Sequence, residues 1–183
     1  AVAAAGMIDD GDITVINSRT LCGPHRYMVE KAVEMANSGA TRDEIVAHVE
    51  QLMDSAKSYL MPADFDYLRR GGRLSPLVSY VGKTIKLVPM MTQTEDGKQL
   101  TLAGVRRSFK QAIQYVAKSL QERGVDDDWR IYISHADALD KAELAKEKLS
   151  QEMPEAVFEI WPLSPAFITQ GGPGCVAVQY VKE

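Results

Sequence analysis

The stretch from residue 84 to residue 181 alternates short apolar segments with amphipathic helices, and this order constrains the fold more than any other feature. Candidate strands lie at 84–91, 99–103, 129–134, 157–162 and 175–181, and candidate helices lie at 106–123 and 137–149. Asp96-Gly97 is a strong hairpin signal between the first two strands. This order predicts an α/β or α+β domain, a mixed sheet with helices packed over one face.

The first 60 residues offer only one candidate strand, at 13–16, followed by helices at 24–39 and from Thr41 onward. The second helix begins with a capping box, in which Thr41 and Glu44 can each accept a backbone N–H of the other. We therefore expect residues 1–60 to be the remnant of an N-terminal α/β lobe and residues 61–183 to form a C-terminal lobe. A strand without neighbours tends to pair with another molecule, so self-association through the incomplete lobe is a further prediction.

Composition excludes several classes of protein. Apolar residues make up 45% of the chain and charged residues 25%, and the net charge is −4, so a nucleic-acid partner is not expected. No apolar run reaches the ~18–20 residues of a membrane span. The two cysteines are too few for a disulfide framework, which predicts a reducing, cytoplasmic setting with Cys22 and Cys175 as small apolar fillers.

The segment 65–75 combines a short amphipathic helix with the sequence Arg-Arg-Gly-Gly-Arg at 69–73. Gly71-Gly72 can end the helix because glycine reaches left-handed backbone angles without a Cβ clash. Arg73 then lies in a turn, where a fixed guanidinium and exposed N–H groups suit a carboxylate or phosphate. The alternative is an ordinary helix C-cap followed by a surface arginine.

Two other places are candidate anion or ligand sites. Arg106-Arg107 at the expected start of a helix is unusual because the helix dipole favours acids there, so a bound anion or a nearby acid such as Glu95 would compensate. The 171–174 loop, Gly-Gly-Pro-Gly, lets a ligand or another backbone come close, and its simpler interpretation is a tight turn.

Catalytic and metal-binding patterns are not recognisable in the sequence. The three histidines show no ligand spacing, and Asp137 after His135 is expected to cap the following helix. No nucleophile, base and orienting group can be paired, and nucleotide-binding glycine motifs are absent. We expect no catalytic residue, no metal and no cofactor.

Several of these segments together resemble the DegV family of bacterial lipid-binding proteins. The matching segments are 15–18, 67–74, 85–89 with Asp96-Gly97, 105–106 and 169–174. Their order and spacing extend through essentially the whole chain, and the Leu-Arg-Arg-Gly-Gly-Arg-Leu sequence at 68–74 is fairly specific.

The resemblance implies a two-lobed EDD fold that buries one long-chain fatty acid between its lobes. In some members the acyl carboxylate is presented to a partner fatty acid kinase, so the resemblance implies a carrier and not an enzyme. The positions to which it assigns ligand binding are Ser18, Arg73, Ile85, Arg106, Thr169, Gln170, Gly171 and Gly172. Arg73 and Arg106 each lie at a turn or a helix start, and the resemblance brings these turns together. Both side chains are therefore expected to face a cleft near the 171–174 loop.

The chain departs from the family pattern in two ways. Family members usually begin with a complete N-terminal lobe whose Ser-Gly-Thr turn holds the carboxylate, and this sequence begins after that turn. Gln170 stands where the family commonly has histidine. Glutamine can donate a hydrogen bond but cannot carry a charge, so acyl binding through it is expected to depend little on pH near neutrality.

Two further hypotheses come from other classes of protein. One is an enzyme or binding module for a small anionic metabolite, with Arg73 and Arg106 as anion clamps beside the 171–174 loop. The other is a protein–protein module that mainly docks a kinase.

Overall fold

A computed structural model describes residues 1–8, 11, 13–72, 87–94 and 96–183. The strands in this part of the chain are β1 (Lys57–Met61), β2 (Val88–Gln93), β3 (Leu100–Arg106), β4 (Trp129–His135), β5 (Val157–Pro162) and β6 (Val176–Lys182). The helices are α1 (Val2–Ala5), α2 (Cys22–Asn37), α3 (Arg42–Ser55), α4 (Phe65–Arg70), α5 (Phe109–Glu122), α6 (Leu139–Glu152) and α7 (Pro165–Gly171).

The strands form one mixed sheet in the order β3-β2-β1-β6-β4-β5. Only β4 and β5 run parallel, joined through α6, and the other neighbouring pairs are antiparallel. The Asp96-Gly97 hairpin between β2 and β3 is confirmed, with Gly97 at φ +68° and its N–H donating to Thr94 O at 2.8 Å. The predicted fold class, a mixed sheet with helices packed on it, is therefore correct.

One face of the sheet is covered by α5 and α6, and we call it the filled face. Ser108 caps α5 by accepting from the N–H of Gln111, and the apolar stripe of that helix is fully buried. Ile131, Ile133 and Val178 point into the same cluster from the central strands. A single continuous core results, because every strand contributes alternate apolar residues to it.

The opposite face carries two smaller clusters, and we call it the cavity face. Under α2 and α3, Tyr27, Met28 and Leu52 pack on Tyr132 and Val181. Under α4, residues Leu68 and Met91 pack with partly buried neighbours, which are Leu60, Phe65, Leu100 and Leu102. Helices thus cover both faces, and the expectation of one covered face is wrong because β4 and β6 are buried on both sides.

Three local predictions are also wrong. Residues 13–16 form no strand. Self-association through these residues stays a prediction, but they do not provide the unpaired strand edge on which it was based. The fifth helix begins at Phe109, because Ser108 supplies its cap, and Arg106 therefore belongs to β3. Asp137 does not cap α6, because Ala138 is the N-cap residue and no side chain accepts a capping hydrogen bond; Nδ1 of His135 accepts the Ala138 N–H at 3.2 Å.

The capping box of Thr41 and Glu44 is confirmed. The division into lobes at residue 60 stays a prediction, and within the described residues both stretches contribute to the same sheet and its covering helices. None of the described helices is long and apolar enough to cross a membrane.

Candidate functional site

A cavity of about 160 Å3 lies on the cavity face of the sheet. Its floor is formed by β1, β2, β3 and β6, and its walls by α7, the β2–β3 turn and the segment that leads into α2. An engineered apolar cavity of about 150 Å3 is large enough for benzene, so this one has room for a chain segment of roughly six carbons.

The lining is largely apolar. Three of the apolar side chains come from the strands and three from the surrounding segments: Leu60, Leu100, Ala177, Leu21, Leu163 and Phe167. Ala177 is opposite Leu60 in the β1–β6 pairing, and its small side chain leaves space open beside Leu60. Such a surface binds hydrocarbon because it removes apolar area from water.

A row of polar side chains crosses one end of the floor. Ser58 and Gln179 are direct partners in the β1–β6 pairing, and both line the cavity. Gln93 of β2 lies one residue beyond the Tyr59–Thr92 pair and donates through Nε2 to Arg19 O at 2.7 Å. The cavity is therefore apolar at one end of its floor and polar at the other.

Helix α7 is held over the cavity by close backbone packing at its C-terminus. Gly172 has φ +79° and ψ 162°, and a Cβ on it would lie 2.9 Å from Cγ of Tyr67 in α4. Gly171 lines the cavity, and a Cβ there would lie 2.7 Å from Sγ of Cys175. These glycines are required because α7 packs directly against α4 and β6.

The segment before α2 forms another wall. Arg19 and Cys22 both have positive φ, at 51° and 56°, a conformation that side-chain-bearing residues seldom adopt. Between them Leu21 lines the cavity, and its carbonyl accepts a 3.0 Å hydrogen bond from Gln179 Nε2. Strain of this kind persists only where surrounding contacts fix the chain, and here the contacts are with β2 and β6.

The two cysteines, far apart in sequence, meet at this cavity. Burial and the neighbouring Cys175 raise the pKa of the Cys22 thiol to about 12, and burial raises the pKa of Cys175 to about 11. Both thiols are therefore protonated near neutral pH and act as apolar lining, as expected from the sequence.

Arg106 does not face this cavity. It lies opposite Val88, and its guanidinium carbon is 4.4 Å from the ring centroid of Tyr115 on α5. Its Nη1 donates to Val105 O at 2.8 Å. The expectation that Arg106 faces the 171–174 loop is wrong, because the pairing of β3 with β2 places its side chain on the filled face.

The remaining predicted positions differ in how they relate to the cavity. Gly171 lines it, whereas Gly172 packs against Tyr67. Thr169 is exposed and donates to Ala166 O within α7, and Ser18 lies near the cavity wall, 3.0 Å from Nδ1 of His25. Arg73, Ile85 and the side chain of Gln170 lie outside the described part of the structure.

The floor residues of β6 were missed, although the sequence contains a signal for them. Cys175, Ala177 and Gln179 alternate with the bulky residues Val176 and Val178. Because side chains of a strand alternate between faces, small or polar residues at every second position predict a floor that is not tightly filled. The described residues contain no cluster of three His, Cys, Asp or Glu side chains suited to a metal.

Comparison with protein families identifies the fold. The DegV family model, described as "Uncharacterised protein, DegV family", matches residues 1–183. The chain belongs to the DegV family. The DegV domain-containing protein YteA of Lactococcus lactis is 27% identical over 167 residues, covering 91% of this chain and 57% of that protein. This chain thus spans little more than half the length of that relative.

Solved structures agree with this assignment. The crystal structure of DegV, a fatty acid binding protein from Bacillus subtilis, is 25% identical with a TM-score of 0.84, covering 100% of this chain and 65% of that one. The Streptococcus pneumoniae fatty acid kinase B3 protein, loaded with linoleic acid, is 24% identical with a TM-score of 0.82, covering 95% of this chain and 61% of that one. The DegV-family fold therefore extends over the described chain.

Proposed function

We propose that this DegV-family chain is a carrier that binds a long-chain fatty acid and holds part of the acyl chain in the cavity. The observation that carries the proposal is an apolar cavity, on the sheet floor, whose polar end is formed by Ser58, Gln93 and Gln179. The Bacillus subtilis relative, described as a fatty acid binding protein, supports it through a shared fold and family.

The energetics favour such a ligand. Burying about six methylene groups stabilises a complex by roughly 5 kcal/mol at ~0.8 kcal/mol each. A carboxylate cannot be buried unpaired, so it stays at the polar end or outside the cavity. Lys98 lines the cavity from the β2–β3 turn, its Nζ 4.0 Å from Asp96 Oδ2, and it is the one lysine or arginine among the described lining residues.

A cavity-filling substitution tests the proposal. Ala177→Phe places a ring in the space beside Leu60, and Ala166→Phe adds the same volume on the exposed side of α7. Displacement of a fluorescent fatty acid by octadecanoic acid is measured for both variants, with thermal unfolding as the folding control. We expect binding to be lost in Ala177→Phe and kept in Ala166→Phe. Unchanged binding in a folded Ala177→Phe variant would refute the cavity as the acyl site.

We further propose that the bound acid is presented to a fatty acid kinase, which converts its carboxylate to an acyl phosphate. The support is the fold shared with the Streptococcus pneumoniae fatty acid kinase B3 protein. In this reaction the carrier supplies the bound carboxylate, whose oxygen attacks the terminal phosphoryl group of a nucleoside triphosphate held by the kinase, and the nucleoside diphosphate leaves. Acyl phosphate formation with a fatty acid kinase should require this chain and should disappear with Ala177→Phe. Turnover of the acid by the kinase alone would argue against a carrier role.

A further inference from the structure

A second concave site lies at the end of the sheet where β1 begins and β2 ends. It is a cleft of about 380 Å3, and its lining includes the cations Arg19, Lys57 and Arg123. Asp54 is the one carboxylate among the described lining residues. Positive charge therefore prevails in this cleft, although the whole chain has a net charge of −4, and such a concave positive surface attracts anions.

Two of the three cations have no counter-ion within the described residues. Arg19 pairs with Asp54, with Nη2 at 2.9 Å from Oδ1, whereas Lys57 and Arg123 form no ion pair in the described part of the chain. Lys57 is also half-buried, so an anion beside it would offset part of the cost of removing its charge from water. The cleft thus has two positive charges that no described carboxylate balances.

The buried core positions both of these cations. Lys57 is the direct partner of Tyr180 in the β1–β6 pairing, and its Nζ lies 5.7 Å from the ring centroid of Tyr59. Arg123 donates through Nη1 to the hydroxyl of Tyr180 at 3.1 Å. Because Tyr180 has no exposed surface, it is a fixed anchor, and the guanidinium loses less conformational freedom on binding than a free surface arginine would.

The polar groups of the cleft suit a phosphate. The hydroxyl of Thr20 forms no hydrogen bond within the described residues, so it can donate to a ligand beside the cations. A phosphate monoester presents three acceptor oxygens and about two negative charges near neutral pH. A carboxylate has only two oxygens and a single charge, so it can balance one of the two cations but not both.

We propose that this cleft is a binding site for a phosphate monoester, held by Lys57 and Arg123. The cleft adjoins the acyl cavity, since Gln93 and Gly97 line both. Arg19 separates the two spaces: its carbonyl accepts from Gln93, and a Cβ on Gly97 would lie 3.2 Å from its Cβ. The site therefore does not depend on the acyl proposal, and the phosphate can belong to a soluble molecule or to a lipid whose chain lies in the cavity.

Titration of the 183-residue protein followed by nuclear magnetic resonance tests the site. Inorganic phosphate is compared with acetate at constant ionic strength, and amide shifts are read along the chain. We expect saturable shifts with phosphate at Thr20, Lys57 and Thr92, and about tenfold weaker binding of acetate, which corresponds to the loss of one charged hydrogen bond. Equal responses to the two anions, or shifts spread over the whole surface, would overturn the proposal.

Substitution assigns the binding to these cations. Lys57→Gln should weaken phosphate binding about tenfold, because it removes a charged donor. Lys146→Gln, the same charge change on an exposed position of α6, should leave the affinity unchanged. Arg123→Gln should behave like Lys57→Gln, and thermal unfolding checks that each variant folds. Equal phosphate affinities in folded Lys57→Gln and Lys146→Gln would refute the assignment, and the comparison of anions in the unsubstituted protein stands even if a variant does not fold.

Monomeric dodecyl phosphate distinguishes the two sources of the phosphate. If a lipid is the ligand, dodecyl phosphate should bind more tightly than inorganic phosphate, and Ala177→Phe should remove the difference. If a soluble molecule is the ligand, the two probes should bind alike, and Ala177→Phe should change neither. Failure of both probes to bind would contradict this site, whereas failure of octadecanoic acid to bind would contradict the proposed function.

Discussion

The two faces of one sheet are built differently. On the filled face, the central strands and helices α5 and α6 bury a continuous set of apolar side chains, with Ile113, Leu120, Ile133 and Leu149 showing no exposed surface. On the cavity face, two small clusters remain separate, and the cavity borders the one that contains Leu60 and Leu100.

The difference shows how one fold divides stability and binding between two layers. A close-packed core stabilises the sheet, and a face with small residues provides space for a ligand. Strand alternation makes this possible within a single strand, since Val176 and Val178 of β6 face the core while Ala177 and Gln179 face the cavity.

The largest expected effect comes from the same truncation on the two faces. Leu120→Ala on the filled face should lower the free energy of unfolding by about 2–5 kcal/mol, because it leaves a hole in a closed core. Leu60→Ala should cost less than about 2 kcal/mol, since its side chain already borders open space. Denaturant unfolding measures both. Equal losses would mean that the faces do not differ in packing.

Thiol reactivity provides a second test of the cavity face. Burial raises the pKa of Cys175 from its ordinary 9.0 to about 11, so its thiolate fraction near pH 8 should be about 100-fold lower than that of a free cysteine. Alkylation by iodoacetamide should therefore be slow and should rise steeply above pH 9. Because the raised pKa lies in the folded state, stability should fall as the pH increases from about 9 to 11. Fast labelling at pH 7 would contradict burial of this thiol.

Glycine substitution tests whether α7 must pack closely. Gly172→Ala should cost about 1–3 kcal/mol, because its backbone angles are strained for alanine, and its Cβ would meet Tyr67 at 2.9 Å. Gly39→Ala is the matched control, with φ +86° but no atom within 4 Å of the added carbon. Thermal unfolding and octadecanoic acid affinity should both change more in Gly172→Ala. If the two variants behave alike, the contact with Tyr67 has no separate effect.

The smallest effect is expected on the filled face. Arg106 stacks on Tyr115 and is turned away from the cavity, so Arg106→Gln should change acyl affinity by less than about twofold, because it removes a half-buried cation–π contact and no contact with the ligand. Isothermal titration with octadecanoic acid measures this. A large loss of affinity would indicate that Arg106 lies at the ligand site.

Much of the fold could be predicted from the sequence, because it depends on local signals. The β2–β3 hairpin, the capping box at Thr41 and the amphipathic α5 each have a pattern within a few residues. The family could also be recognised, from motifs spread along the chain. In contrast, residues 13–16 look like a strand locally but have no partner in the described sheet, which no local pattern reveals.

The site was harder to predict, because long-range pairing builds it. Leu21, Ser58 and Gln179 are distant in sequence and meet only when α2 and β1 are placed beside β6. Arg106 was expected at a helix start, and the Ser108 cap together with the register of β3 determined its face instead. Motifs rich in arginine and glycine therefore identified the family better than they identified the cavity.

The most direct test is to find which face of the sheet an acyl chain contacts. A nitroxide-labelled octadecanoic acid is added to the methyl-labelled protein, and paramagnetic broadening is read at neighbouring positions on opposite faces. We expect stronger broadening at Leu60, Leu100 and Ala177, which line the cavity, than at Val178 and Ile133, which face the opposite side of the sheet. Stronger broadening at Val178 and Ile133 than at Ala177 would contradict it.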